Sequence, residues 1–193
     1  MGHQASQEQK KPNWDHLYGI AAADEGYFTT AQAAEAGYSG PLLAKYLSNG
    51  RISHIRHGIY RLVHFPPGEH EDLVVIWLWS EQKGIFSHET ALSLHQLSDV
   101  LPKKIHLTVP ASWKQRRLRV PAGVMMHYED LTAQSKKWIG PVPVTSPVQT
   151  IKDCVDASIS PEIVDKAIQD GLRRGLFTQN AISKIRTSND QSI

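Results

Sequence analysis

Apolar residues at Trp14, Leu17, Tyr18 and Ala21 follow the i, i+3, i+4, i+7 spacing of one helical face. Asn13, just ahead of them, is a favourable N-cap, so a helix is expected from there to about Asp24, with those four residues in the core. Gly26-Tyr27-Phe28 is a short extended lead-in. Thr29 or Thr30 then offers a hydroxyl cap to a second helix, roughly Ala31 to Ala36, which ends at Gly37. Ser39 opens a third helix with Pro41 in its first turn, where a missing N–H costs little. Leu43 and Leu47 lie on the inner face of that helix, and Asn49-Gly50 closes it. Two brief β runs follow, Ile52–Ile55 and Ile59–Leu62, joined through Arg56-His57-Gly58.

Val63-His64-Phe65-Pro66-Pro67-Gly68 interrupts both periodicities and reads as a boundary. Beyond it, Glu69 to about Gln82 is expected to be a helix. Acidic residues occupy its first turn, and a core of LVVIWLW is apolar all round, so it should be buried in a second domain. A helix capped at Ser87 covers His88–His95, and Ile105–Val109 and Val124–Tyr128 are strands. The segment 140–147 is extended and leads to a helix capped by Ser146 with Pro147 at its start, in which Ile151, Cys154 and Val155 face inward. Two amphipathic helices, near Pro161–Leu172 and Gln179–Arg186, precede a fraying tail.

These patterns predict an α+β, mainly helical chain. It has a polar tail over 1–12, an N-terminal winged helix-turn-helix over 13–64 and a C-terminal α/β-containing domain over 69–187. Helix, tight turn, helix and small hairpin is the order that lays a recognition helix in the major groove and a wing on the backbone.

Charge sharpens that expectation. The net charge is only +2, so any nucleic-acid footprint must be local. Between Glu35 and Glu69 there is no Asp or Glu, while Lys45, Arg51, Arg56 and Arg61 fall inside. A one-signed surface of this kind suits phosphate, because each neutralised phosphate releases condensed counterions. The candidate DNA contacts are Thr30 and Gln32 at the head of the second helix, with Ser39, Lys45 and Asn49 on the third. Arg51, Arg56 and His57 lie on the wing side. Ser39 and Asn49 could equally be caps, and Arg61 could be a structural ion-pair partner. A second acid-free window, Val100 to Tyr128, carries Lys103, Lys104, Lys114, Arg116, Arg117 and Arg119. It is either a solvated loop or a contact surface for nucleic acid or an acidic partner.

Other chemistry finds little support. The single cysteine, Cys154, excludes an intramolecular disulfide, fits a reducing cytosol and sits in an apolar pattern that favours an inert thiol. No apolar run is long enough to span a bilayer, so no membrane partner is expected. Met1–Ser6 satisfies only a loose acylation pattern. His88-Glu89 with His95 gives HE-x5-H rather than HExxH, so structural histidines and no metal are expected. Glu81-Gln82-Lys83 has the ExK form found in nucleases, but no upstream acidic partner accompanies it. Neither a phosphate loop nor a nucleophile–base–acid set is present, so no enzyme activity and no cofactor are expected.

The run GYFTTAQAAEAGYSGPLLAKYLSNGRISHIRHGIYRL, then SHETAL at Ser87–Leu92, then VPVTSPVQTIKDCV, resembles the AbiEi family of type IV antitoxins and AbiEi-like transcriptional regulators. Gly26, Thr30, Gly37, Leu43, Gly50, Gly58, Tyr60 and Arg61 match the N-terminal pattern of that family, and the resemblance extends over about Leu17 to Val155. It implies a bacterial repressor that binds inverted repeats in double-stranded DNA at its own promoter, as a homodimer or as two copies. It also implies an antitoxin role against a nucleotidyltransferase-like toxin without a stable complex. A stand-alone regulator without a toxin, and a non-catalytic module for an acidic protein, are the alternatives.

Overall fold

The computed structural model describes residues 11–99 and 101–190, in which eight α-helices and two sheets are present. Apart from Lys11 and Pro12, the expected polar tail and the acylation pattern at Met1–Ser6 lie outside the described residues. No helix among these residues is long and apolar enough to cross a membrane.

Backbone contacts divide the chain into two units, 1–79 and 80–193. The first opens with α1 (Trp14–Ala23), whose cap is Asn13, the side chain accepting from the His16 N–H at 3.0 Å. Then come β1 (Tyr27–Thr29), α2 (Thr30–Glu35), α3 (Gly40–Ser48), β2 (Ile52–Arg56) and β3 (Ile59–Leu62). The strands form an antiparallel sheet in the order β1-β3-β2, with Ile52 opposite Leu62 and a bulge between His54 and Arg56. Leu17, Ala21, Phe28, Ala33, Leu43, Ile52 and Leu62 close the core, each almost fully buried. Burial of a Leu or Phe side chain contributes roughly 1.5–3 kcal/mol, so this small module rests largely on these few residues.

Two expectations fail here. Trp14 and Tyr18 are 37% and 47% exposed rather than buried. They flank the stripe instead of centring it, Trp14 stacking on Tyr46 at 5.7 Å and Tyr18 lying 6.0 Å from Phe65. The apolar helix α4 (Glu71–Trp79) is shorter than expected and clusters with the first unit, so the break falls at Trp79/Ser80 rather than at 64–69. The reason is visible at its first turn. Glu71 accepts from Arg61 of β3 at 2.7 Å, and the Glu25 carboxylate accepts from the His70 N–H at 3.0 Å, so the Pro-Pro-Gly segment is a tight connection inside the unit.

The second unit contains β4 (Ile85–Phe86), α5 (His88–Leu94), β5 (Ile105–Val109), β6 (Val124–Tyr128), β7 (Lys136–Ile139), β8 (Val142–Thr145), α6 (Pro147–Asp156), α7 (Pro161–Arg173) and α8 (Gln179–Asp190). Its mixed sheet has the order β6-β5-β4-β8-β7, with β5 and β6 parallel and β7–β8 a hairpin. Strand β7 was not expected, because Lys136-Lys137-Trp138 is exposed and carries no clean alternation. Ile151, Cys154, Val164, Ala167, Ile168, Phe177 and Ile182 form the helical core. Burial pushes the Cys154 thiol up to about 12, in keeping with an inert role. Helix α8 runs on to Asp190, through most of the stretch expected to fray.

Candidate functional site

The turn between α2 and α3 is built by local chemistry. Thr29 caps α2, its hydroxyl accepting from the Gln32 N–H at 3.1 Å, while the Gln32 Oε1 accepts from the Thr29 N–H at 2.7 Å. Gly37, at φ +85°, makes the left-handed exit that turns the chain into α3. Ser39 stands at the cap of α3 but makes no side-chain cap bond, so its hydroxyl is exposed and unspent in the fold. Pro41 lies in the first turn, and Gly50 at φ +68° ends the helix.

Of the expected DNA-contact residues, Thr30, Ser39, Lys45, Asn49, Arg51 and His57 are exposed, and Arg56 is half-buried at the end of β2. Thr30 is also anchored, its N–H donating to the Gly58 carbonyl at 2.9 Å, which ties the head of α2 to the hairpin turn. Arg51 lies 5.4 Å from the centre of the Tyr46 ring and keeps its charge outward. Among the described residues, no carboxylate is within ion-pair distance of Lys45, Arg51 or Arg56. Gln32 differs from this group. Its Oε1 closes the capping box and its Nε2 donates to Asp24 at 3.1 Å, so its amide is committed to the fold rather than presented outward. Arg61 takes the structural alternative and pairs with Glu71.

In the second unit Lys103, Lys104, Lys114, Arg116, Arg117 and Arg119 are all exposed. Lys114 lies on a short 3-10 turn (Ala111–Gln115) within the crossover from β5 to β6. Arg116 is the exception in charge. Its guanidinium lies 4.0 Å from the Trp113 ring centre and pairs with Glu81 at 2.6 Å, so a carboxylate from outside the acid-free window neutralises it. That pairing also accounts for Glu81 of the ExK triplet.

The histidines do not group along one helix. His95 does not join His88; one of its ring nitrogens lies 2.7 Å from the Thr145 carbonyl. His88 meets His106 of β5 and His127 of β6 instead. The parallel register pairs His106 with Met125 and Thr108 with His127, which sets both histidines on one face, diagonally adjacent. His106 Nδ1 and His127 Nε2 are 3.0 Å apart, and the His88 ring stacks on His127 at 3.7 Å. His106 Nε2 faces the Glu89 carboxylate at 3.3 Å, and His88 Nδ1 lies 2.9 Å from the Ser87 hydroxyl, which in turn accepts from Thr108 at 2.8 Å. Burial, then the charge that His127 and His106 would carry, pushes His88 down to about 3. Burial and the neighbouring His106 push His127 down to about 4. Burial also lowers His106, against the opposing pull of Glu89. The three imidazoles are therefore neutral at neutral pH, with lone pairs available. Sequence spacing could not find them, because Ser87–Glu89, His106 and His127 meet only once β5 and β6 pair.

Residues 20–63 match a family model described as "Transcriptional regulator, AbiEi antitoxin". No curated protein matches the chain. Among solved structures, the chain is similar to the RV2827C protein from Mycobacterium tuberculosis, at 17% identity and a TM-score of 0.41, over 80% of this chain and 64% of that one. It thus spans less than two thirds of that protein's length.

Proposed function

We propose that this protein is a sequence-specific DNA-binding transcriptional repressor of its own promoter, acting in the bacterial cytoplasm as the antitoxin of a type IV toxin–antitoxin pair. One observation carries the reading: α2, the Gly37 turn, α3 and the β2–β3 hairpin expose Thr30, Ser39, Lys45, Asn49, Arg51 and His57, the last five on a stretch without a carboxylate between Glu35 and Glu69. In this reading α3 enters the major groove through its N-terminal half, and the hairpin is a wing whose Arg56 and His57 follow the backbone. The family match over residues 20–63 supports the regulator role. Two copies on inverted repeats would supply the specificity that one small module lacks. The toxin partner is a nucleotidyltransferase-like protein, opposed without a stable complex.

The test is fluorescence anisotropy of the full chain on its own upstream DNA, against a scrambled duplex, over a range of salt. Expected is preferential binding to the upstream inverted repeats, weakening steeply with salt. Equal affinity for both duplexes would remove sequence-specific recognition.

The second unit favours an additional reading. Lys103, Lys104, Lys114, Arg117 and Arg119 are exposed and have no carboxylate partner among the described residues, a surface suited to phosphate or to an acidic protein.

A further inference from the structure

We propose that His88, His106 and His127 form a binding site for a divalent transition-metal ion, Zn²⁺ by ligand class, each contributing one imidazole nitrogen. One ligand atom from each residue lies within 4.8 Å of the others, on three separate elements of the second unit. This site is independent of the DNA-binding reading, since no residue is shared.

Three features support an ion here rather than three packed aromatic rings. The first is orientation by a neighbouring carboxylate. Glu89 at His106 Nε2 favours the tautomer with the proton on that nitrogen, which leaves the Nδ1 lone pair turned toward His127. A carboxylate behind a ligating imidazole is the usual device for holding the ring and raising its basicity. The second is distance. Nitrogens bound at about 2.0–2.1 Å in tetrahedral positions lie roughly 3.3 Å apart. His106 Nδ1 and His127 Nε2, at 3.0 Å, are already near that spacing. The third is donor chemistry, since neutral imidazole suits zinc and its neighbours, whereas calcium and magnesium take oxygen ligands.

His88 has to move. Its ring stacks face to face on His127 at 3.7 Å, and lone pairs lying in the planes of two stacked rings do not converge. Metal binding would turn His88 off that stack while Ser87, at the head of α5, stays pinned by Thr108. Three protein nitrogens leave a coordination position for water or another ligand. The ion would join the start of α5 to the β5–β6 pair and stabilise the second unit by mass action.

The experiment titrates metal-free, full-length protein with Co²⁺, read by visible absorption, then displaces it with Zn²⁺ while thermal unfolding is followed. Expected are one equivalent of Co²⁺ with the bands of a low-coordinate nitrogen site, displacement by Zn²⁺ and a rise in Tm. His127→Ala should weaken binding at least about tenfold and Glu89→Gln about 10–100-fold, whereas the exposed His57→Ala and His64→Ala should leave it unchanged. Far-UV circular dichroism checks each fold. If His127→Ala does not fold, His127→Gln and His88→Asn replace it, and the same loss is expected. Folded protein that takes up no stoichiometric Co²⁺ or Zn²⁺ would overturn the site. So would binding undiminished in the folded His127 variants, which would place the ion on other histidines. A hydrogen bond between His106 and His127 alone would then account for the cluster.

Discussion

Arg61 and Glu71 join a strand to a helix across the Pro-Pro-Gly connection: the Arg61 guanidinium donates to the Glu71 carboxylate at 2.7 Å and to the Phe65 carbonyl at 3.2 Å. Both side chains are largely shielded, and the arginine holds the Glu71 carboxyl below the usual carboxylate range. Removing one partner leaves the other charge poorly solvated, so Arg61→Ala should cost about 1–3 kcal/mol in urea unfolding. Glu71→Gln keeps an acceptor and should cost less. Equal, negligible losses in both variants would mean that the pair is merely a surface contact.

Lys45→Ala and Arg56→Ala should each weaken DNA binding and flatten its salt slope by about one unit if they touch phosphate. Gln32→Ala should behave differently. With its amide in the capping box and on Asp24, its loss should lower stability by about 1 kcal/mol while leaving the salt slope intact. A changed slope in the folded Gln32 variant would return that residue to the contact surface.

Arg116 and Arg117 provide a matched comparison in the second unit. Arg116 is stacked on Trp113 and neutralised by Glu81, while Arg117 has no carboxylate partner among the described residues. If this face meets DNA, Arg117→Ala should flatten the salt slope more than Arg116→Ala. Identical wild-type slopes in both variants would exclude the face from the duplex.

Gly171, in the last turn of α7, has no room for a side chain, since an added Cβ would lie 2.2 Å from the Phe177 ring. Alanine ordinarily gains about 1 kcal/mol over glycine inside a helix. Phe177 is buried in the helical core, so its ring cannot simply swing aside. Overpacking costs typically 1–3 kcal/mol and should prevail. Gly171→Ala is therefore expected to lower Tm, and a rise would mean that Phe177 relaxes freely.

Asp153 supplies a pH dependence of known sign. Burial pushes its carboxyl up to about 6, against the lowering effect of the Gln149 hydrogen bond, and its Oδ2 has no hydrogen-bond partner. A group whose pKa is raised on folding contributes stability that is fully present below its unfolded value near 4 and lost as pH rises through about 6. Asp153→Asn should thus stabilise the protein at about pH 8, by up to roughly 3 kcal/mol, and have little effect near pH 4. His88 and His127, lowered on folding, act oppositely and lose stability as pH falls below about 6.5. They are common to both proteins, so the difference in Tm between variant and wild type isolates Asp153. The same difference at both pH values would show that the carboxyl is not shifted.

Much of the fold in both units was legible because its signals act over a few residues. Asn13, Thr29 and Ser146 cap helices through backbone N–H groups three positions away, and Gly37 and Gly50 end them through φ values that other residues seldom adopt. The strands Ile59–Leu62, Ile105–Val109 and Val124–Tyr128 followed from their β-branched and aliphatic runs. The acid-free stretch that marks the candidate interface could likewise be read directly from residue order.

What sequence could not determine depends on partners brought from afar. Only the folded chain seats Glu71 on Arg61, Glu81 on Arg116, and His88 beside His106 and His127. Periodicity assigns each residue a face of its own element. It does not say which strand lies alongside, and the parallel pairing of β5 with β6 is what turns scattered imidazoles into a cluster.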